Sequence, residues 1–73
     1  MQVKMTLGDI RKSRHLTQEE AAKLIGISKD TLSKYERGLS YPDVPIIRKI
    51  EEVYGINYNN IIFLPFDYDL IVK

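Results

Sequence analysis

Side chains able to do covalent chemistry are few in this sequence. Its 73 residues hold one histidine, His15, and no cysteine. No glycine-rich loop could cradle a phosphate, and no carboxylate pair has neighbours that would tune it for acid-base work. A lone ligand makes no metal site, so His15, beside Arg14, is read as a solvated or helix-capping residue. No catalytic residue, metal or cofactor is expected. What remains is recognition by charge and hydrogen bonding. The most specific stretch for it runs from Thr17 to Gly38, where Gln18, Ser28, Lys29, Asp30, Thr31, Ser33, Lys34 and Arg37 stand among small and apolar residues.

Those side chains need elements to position them, and helix punctuation recurs along the chain. Thr6 can cap a first helix to about Arg14, with Asp9 three residues on and Leu7 and Ile10 as its apolar pair. Thr17-Gln18-Glu19-Glu20 is a T-x-x-E capping box for a second helix, with Ala21, Ala22 and Ile25 facing inward. Gly26 stands where a left-handed residue ends it. Ser28 can cap a third helix from Lys29 to about Glu36, with Leu32 and Tyr35 as its stripe and Arg37-Gly38 closing it. Two short helices joined by so tight a glycine turn make a helix-turn-helix arrangement. Ile25, Ile27 and Leu32 fill the crossing, and the two alanines let the helices approach.

Pro42-Asp43 then opens a fourth helix, about Val44 to Tyr54, with Ile46, Ile47, Ile50, Val53 and Tyr54 at buried-stripe spacing. A short fifth helix or helical turn is expected over Tyr58–Ile62, stopped by Pro65. Beyond it, Phe66 to Lys73 reads as an extended tail or edge strand. Val3 and Met5 could pair with that tail.

One domain of residues 1–73 is expected, with 44% hydrophobic and 29% charged residues, no disulfides and a core made by helix packing. Dimerisation could assist that packing. No apolar run approaches the roughly 20 residues of a membrane span, and no signal peptide opens the chain, so a cytoplasmic protein without membrane association is expected. The net charge of +1 conceals an asymmetry: residues 1–41 carry eight basic and five acidic side chains, residues 42–73 three and five. The basic half is a mild form of the footprint of a nucleic-acid binder.

Residues 17–38 closely resemble the helix-turn-helix of the Cro/C1-type (XRE) repressor family. The pattern T-Q-x-x-x-A is met by Thr17, Gln18 and Ala22, and the turn glycine by Gly26. The pattern S-x-x-T-[IL]-x-x-[YW]-E-x-G is met by Ser28, Thr31, Leu32, Tyr35, Glu36 and Gly38, with Pro42 following. The resemblance covers residues 6–62. The length and the ending Ile61-Ile62-Phe63-Leu64-Pro65 to Tyr68-Asp69-Leu70 are similar to short Cro-like or antirepressor proteins of phages of Gram-positive bacteria. It implies an all-α, compact five-helix, lambda-repressor-like DNA-binding domain, with its helix-turn-helix at about 17–37 and an extended tail at about 63–73.

In such a motif the second helix enters the major groove while the first crosses the backbone. Lys29, Asp30, Thr31, Ser33 and Lys34 are then the candidate base readers. Lys29 and Lys34 could donate to guanine, meet phosphates or stay solvated. Asp30 could accept from a cytosine amino group, or simply stabilise the first turn through the helix dipole. The resemblance implies that Gln18 donates to a phosphate at the second helix's N-terminus. Ser28, Arg37, Ser40 and Tyr41 are further backbone-contact candidates. It also implies that Arg11 and Glu36 form a partly buried ion pair. Lys12 and Arg14 are read as ordinary solvated charges.

Two functions follow. The first is a sequence-specific regulator that binds a double-stranded DNA operator as a homodimer and controls a phage-like switch. The second is an antirepressor that binds a partner repressor protein. Its candidate surface is Phe63, Leu64, Phe66, Tyr68, Leu70 and Ile71, an apolar surplus that could also fold back over its own core.

Overall fold

Four helices begin at residues whose side-chain oxygen accepts a backbone N–H from the first turn: Thr6 from Asp9, Thr17 from Glu20, Ser28 from Thr31 and Asp43 from Ile46. Each cap satisfies a donor with no partner inside its own helix. The computed structural model describes residues 4–63. In chain order these form β1 (Met5–Thr6), α1 (Leu7–Ser13), α2 (Gln18–Ile25), α3 (Lys29–Arg37), α4 (Val44–Tyr54), a 3-10 turn (Tyr58–Asn60) and β2 (Ile61–Ile62). The predicted capping box at Thr17 closes in both directions, since the Glu20 carboxylate also accepts the Thr17 N–H at 2.9 Å.

The link between α2 and α3 is short because Gly26 sits at φ 93° and ψ 30°. There both its N–H and that of Ile27 donate to the Ala22 carbonyl, at 2.8 and 2.9 Å. The chain thus leaves α2 and reaches the Ser28 cap within two residues. The other helix turn is closed by a less expected residue: His15 holds φ 60° and donates its N–H to Lys12.

The core gathers one stripe from each helix: Leu7 and Ile10, Ala21, Ala22 and Ile25, Leu32, then Ile50 and Tyr54, with Ile61 and Phe63 beneath. Ile10, Ala21, Leu32 and Ile50 are wholly inaccessible. α2 packs on both α3 and α4, with alanines at its centre permitting close approach. Ile27, Tyr35, Ile46 and Val53 pack partly buried at the margin.

Three expectations need correcting. Of the fifth helix or helical turn expected over Tyr58–Ile62, only a 3-10 turn at Tyr58–Asn60 forms, initiated by the Asn57 side chain accepting from Asn59 and followed by strand. The β-branched pair Ile61-Ile62 favours an extended chain, where branched side chains pack well. Hence the described residues are not all-α: β1 and β2 form a two-stranded parallel pair, with Met5 opposite Ile61 and Thr6 opposite Ile62. The N-terminal strand therefore pairs with Ile61–Ile62, four residues or more before the Phe66–Lys73 stretch proposed for it, which lies outside the described residues. Finally, Ile47 is only half-buried and lines a surface groove.

Candidate nucleic-acid interface

α3 divides cleanly by its 3.6-residue period. Leu32 is buried and Tyr35 and Glu36 are turned partly inward, while Lys29, Asp30, Lys34 and Arg37 are exposed and Ser33 is partly so. Positions 29, 30, 33, 34 and 37 form one outward stripe. Among the described residues its polar groups are mostly engaged with one another. Lys34 Nζ lies 3.4 Å from Asp30, and Arg37 Nε donates to Ser33 Oγ at 3.2 Å. At the helix start, the Ser28 hydroxyl accepts the Thr31 N–H and donates to Thr31 Oγ1 at 2.8 Å. Lys29 has no hydrogen-bond or ion-pair partner among the described residues. The exposed Asp30–Lys34 pair is worth only about 0.3–0.5 kcal/mol, so a better partner can displace it.

Behind this stripe α3 is fastened by charge. Glu36 is the anchor: Arg11 Nε donates to its Oε2 at 2.7 Å and Arg11 Nη2 to its Oε1 at 3.1 Å. The two side chains are 11% and 8% exposed. Arg11 Nη1 also donates to the Leu16 carbonyl, and Gln18 Nε2 donates to Glu36 Oε1 at 2.9 Å. One carboxylate thereby joins α1, the α1–α2 turn, the first residue of α2 and the last turn of α3. The bidentate fork fixes both distance and orientation. Its hydrogen bond to Glu36 raises the Arg11 pKa further, against the opposing effect of burial. Nearby, burial pushes the Tyr54 phenol up to about 12, with the Glu36 charge adding to the effect and Arg11 opposing it.

The sequence candidates fall into three groups. Ser28, Lys29, Asp30, Thr31, Ser33, Lys34 and Arg37 are brought together on α3 and its cap, with Ser40 exposed just beyond. Gln18 sits at the start of α2, but its amide is drawn to Glu36, a role that its position at a helix N-terminus did not signal. Tyr41 joins an aromatic group beside α4: its hydroxyl is 2.7 Å from that of Tyr58 and its ring centroid 4.8 Å from that of Phe63.

Two readings change. Phe63 is 7% exposed and belongs to the core cluster, so it is not displayed for a partner. Leu64, Phe66, Tyr68, Leu70 and Ile71 lie outside the described residues. Arg14 is not a merely solvated charge, since its Nε donates to the Tyr54 carbonyl at 2.9 Å. That carbonyl belongs to the last turn of α4, where acceptors lack helical partners and a cation is favoured.

A cap-turn-cap pair of helices, the second anchored from behind and polar in front, matches a known profile. The family described as helix-turn-helix aligns with residues 7–59. The chain belongs to this helix-turn-helix family. Among curated relatives, the cryptic phage CTXphi transcriptional repressor RstR of Vibrio cholerae is 40% identical over 48 residues, covering 66% of this chain and 43% of the relative. Antitoxin PezA of Streptococcus pneumoniae serotype 4 is 38% identical over 53 residues, covering 73% of this chain and 34% of the relative. The chain spans less than half the length of either. Among the described residues no helix is long and apolar enough to cross a membrane.

Proposed function

We propose that this chain is a sequence-specific DNA-binding transcriptional regulator of the Cro/repressor type, acting on a phage-like genetic switch by binding rather than catalysis. The observation that carries the reading is the outward stripe of α3, polar and exposed, on a helix whose back is fixed to α1 and α2 through Glu36. The family match and the phage repressor among the relatives support it.

In this reading α3 lies in the major groove, with Lys29, Asp30, Thr31, Ser33 and Lys34 at base edges. Ser28, Arg37, Ser40 and Tyr41 meet the backbone. Gln18 reaches a phosphate with its second amide proton while the first stays on Glu36, and the α2 N-terminus adds its unpaired N–H groups. One such module buries only about 600–1,000 Å², so a homodimer on two half-sites about one helical turn, or ~34 Å, apart supplies the affinity.

The double variant Lys29→Ala/Lys34→Ala tests this mapping, since each good base contact contributes about 1–3 kcal/mol. Its affinity for a selected operator should fall at least tenfold with folding intact. Unchanged affinity would show that α3 does not read the site through these residues.

A second reading, an antirepressor that binds a partner repressor, is favoured by exposed apolar side chains at Leu39, Tyr41 and Val44 and by the acid within the α3 stripe. An antitoxin among the relatives lends it support. Folded protein without selective DNA binding, but with a stable complex with a repressor, would establish it.

A further inference from the structure

Away from the α3 stripe, the loop after α3 and the first half of α4 enclose an open groove of about 760 Å³. Its apolar walls are Tyr41, Val44, Ile47 and Tyr58, of which Val44 is 61% exposed. Three charges line it, and they are not equivalent. Asp43 is committed to the Ile46 N–H and Glu51 to the Tyr58 N–H. Arg48 has no hydrogen-bond or ion-pair partner among the described residues. Among the described residues the groove therefore offers apolar surface and one unmatched cation.

The chain itself arrives at this place. Phe63, the last described residue, packs its ring 4.8 Å from Tyr41 and 5.6 Å from Tyr58, both groove walls. The next ten residues, 64–73, reach at most about 33–36 Å when extended. That is ample beside α4, whose 11 residues extend about 16 Å. Their sequence alternates from Phe66 to Leu70: Phe66, Tyr68, Leu70 and Val72 fall on one side of an extended chain, with Asp67, Asp69 and Ile71 on the other. The apolar edge complements the apolar walls, and the segment's acids carry the charge opposite to that of Arg48, which is exposed.

We propose that this groove is a receptor for an extended segment of alternating apolar and acidic residues, and that its occupant is residues 66–72 of the same chain. Tethering at Phe63 gives that segment an effective concentration in the millimolar range, so it holds the groove against weak competitors. A partner carrying the same alternating pattern has to displace it. The inference does not depend on DNA binding, and neither does its test.

The full-length chain should show NOEs from the Tyr68 and Leu70 side chains to the Val44 and Ile47 methyls. In an equimolar mixture of labelled and unlabelled chains, the isotope-filtered spectrum should lack them, because the contact is within one chain. Absence of the NOEs, or their presence in the filtered spectrum as a second copy would give, overturns the proposal. Independently, a synthetic peptide of residues 64–73 should bind full-length Tyr68→Asp/Leu70→Asp at least tenfold more tightly than wild type, whose own segment competes. Equal binding to both, or none to the variant, also overturns it.

Discussion

Replacing Glu36 with alanine removes the acceptor for Arg11 Nε, Arg11 Nη2 and Gln18 Nε2 at once. It leaves a guanidinium with an 11% exposed side chain and only the Leu16 carbonyl as partner. Breaking a buried pair in this way costs about 3–5 kcal/mol, chiefly because the surviving charge is uncompensated. A 73-residue chain at 0.05–0.15 kcal/mol per residue has about 4–11 kcal/mol in total. Glu36→Ala should therefore sit near the edge of folding, with a urea midpoint lowered by about 3 M at a slope near 1 kcal/mol/M. Arg11→Met/Glu36→Leu removes both charges and should recover to within about 1 kcal/mol of wild type or exceed it. Urea titrations of this double variant and of the singles Arg11→Met and Glu36→Leu, followed by circular dichroism, give the coupling energy, expected near 5 kcal/mol where each single costs about 3. The double variant should also bind an operator less selectively, since a greasy contact no longer fixes the orientation of α3. A loss under 1 kcal/mol for Glu36→Ala, or singles that simply add, would refute the claim that this carboxylate organises the motif.

Three further outcomes are expected. The Tyr54 hydroxyl is buried without a hydrogen-bond partner among the described residues, so Tyr54→Phe should raise stability by about 1 kcal/mol at neutral pH. Because the folded phenol titrates near 12 and the unfolded one near 10, ionisation favours the unfolded chain as pH rises through this window. The variant's advantage should widen by about 1 kcal/mol at pH 11, as urea titrations at both pH values would register. At φ 60°, His15 pays a left-handed strain that glycine avoids: His15→Gly should gain about 0.5 kcal/mol and His15→Ile lose about 1–2 in thermal unfolding. Asp30→Asn frees Lys34 from its 3.4 Å contact and should raise non-specific DNA affinity, steepening the log–log salt slope by about 0.9. It should cost about 0.3–1 kcal/mol of stability through the lost dipole interaction.

Local chemistry made much of this molecule legible. Thr6, Thr17, Ser28 and Asp43 announce their helices because a cap is decided within four residues, and Gly26 announces the turn because few other residues accept its backbone. What escaped depends on partners distant in sequence. Ile61 and Ile62 continue a helical turn on paper, and only β1, more than fifty residues earlier, gives them a strand to join. Arg14 looks solvated until α4 brings the Tyr54 carbonyl beside it. Gln18 stands where a phosphate ligand is expected, and its bond to Glu36 appears only once α2 and α3 cross. The α3 stripe was readable by periodicity, but the pairing of Ser33 with Arg37, which occupies two of its side chains, emerged from geometry.

The central claim, that the α3 stripe reads DNA sequence, is tested most directly by fluorescence anisotropy of the purified protein. The probes are duplex DNA from upstream of its own gene and a scrambled duplex, each at two salt concentrations. A protein that reads sequence through this stripe binds the first tightly and the second at least a thousandfold more weakly, and loses affinity for both as salt rises. Equal binding to the two duplexes by a folded protein, or binding to neither, would contradict it.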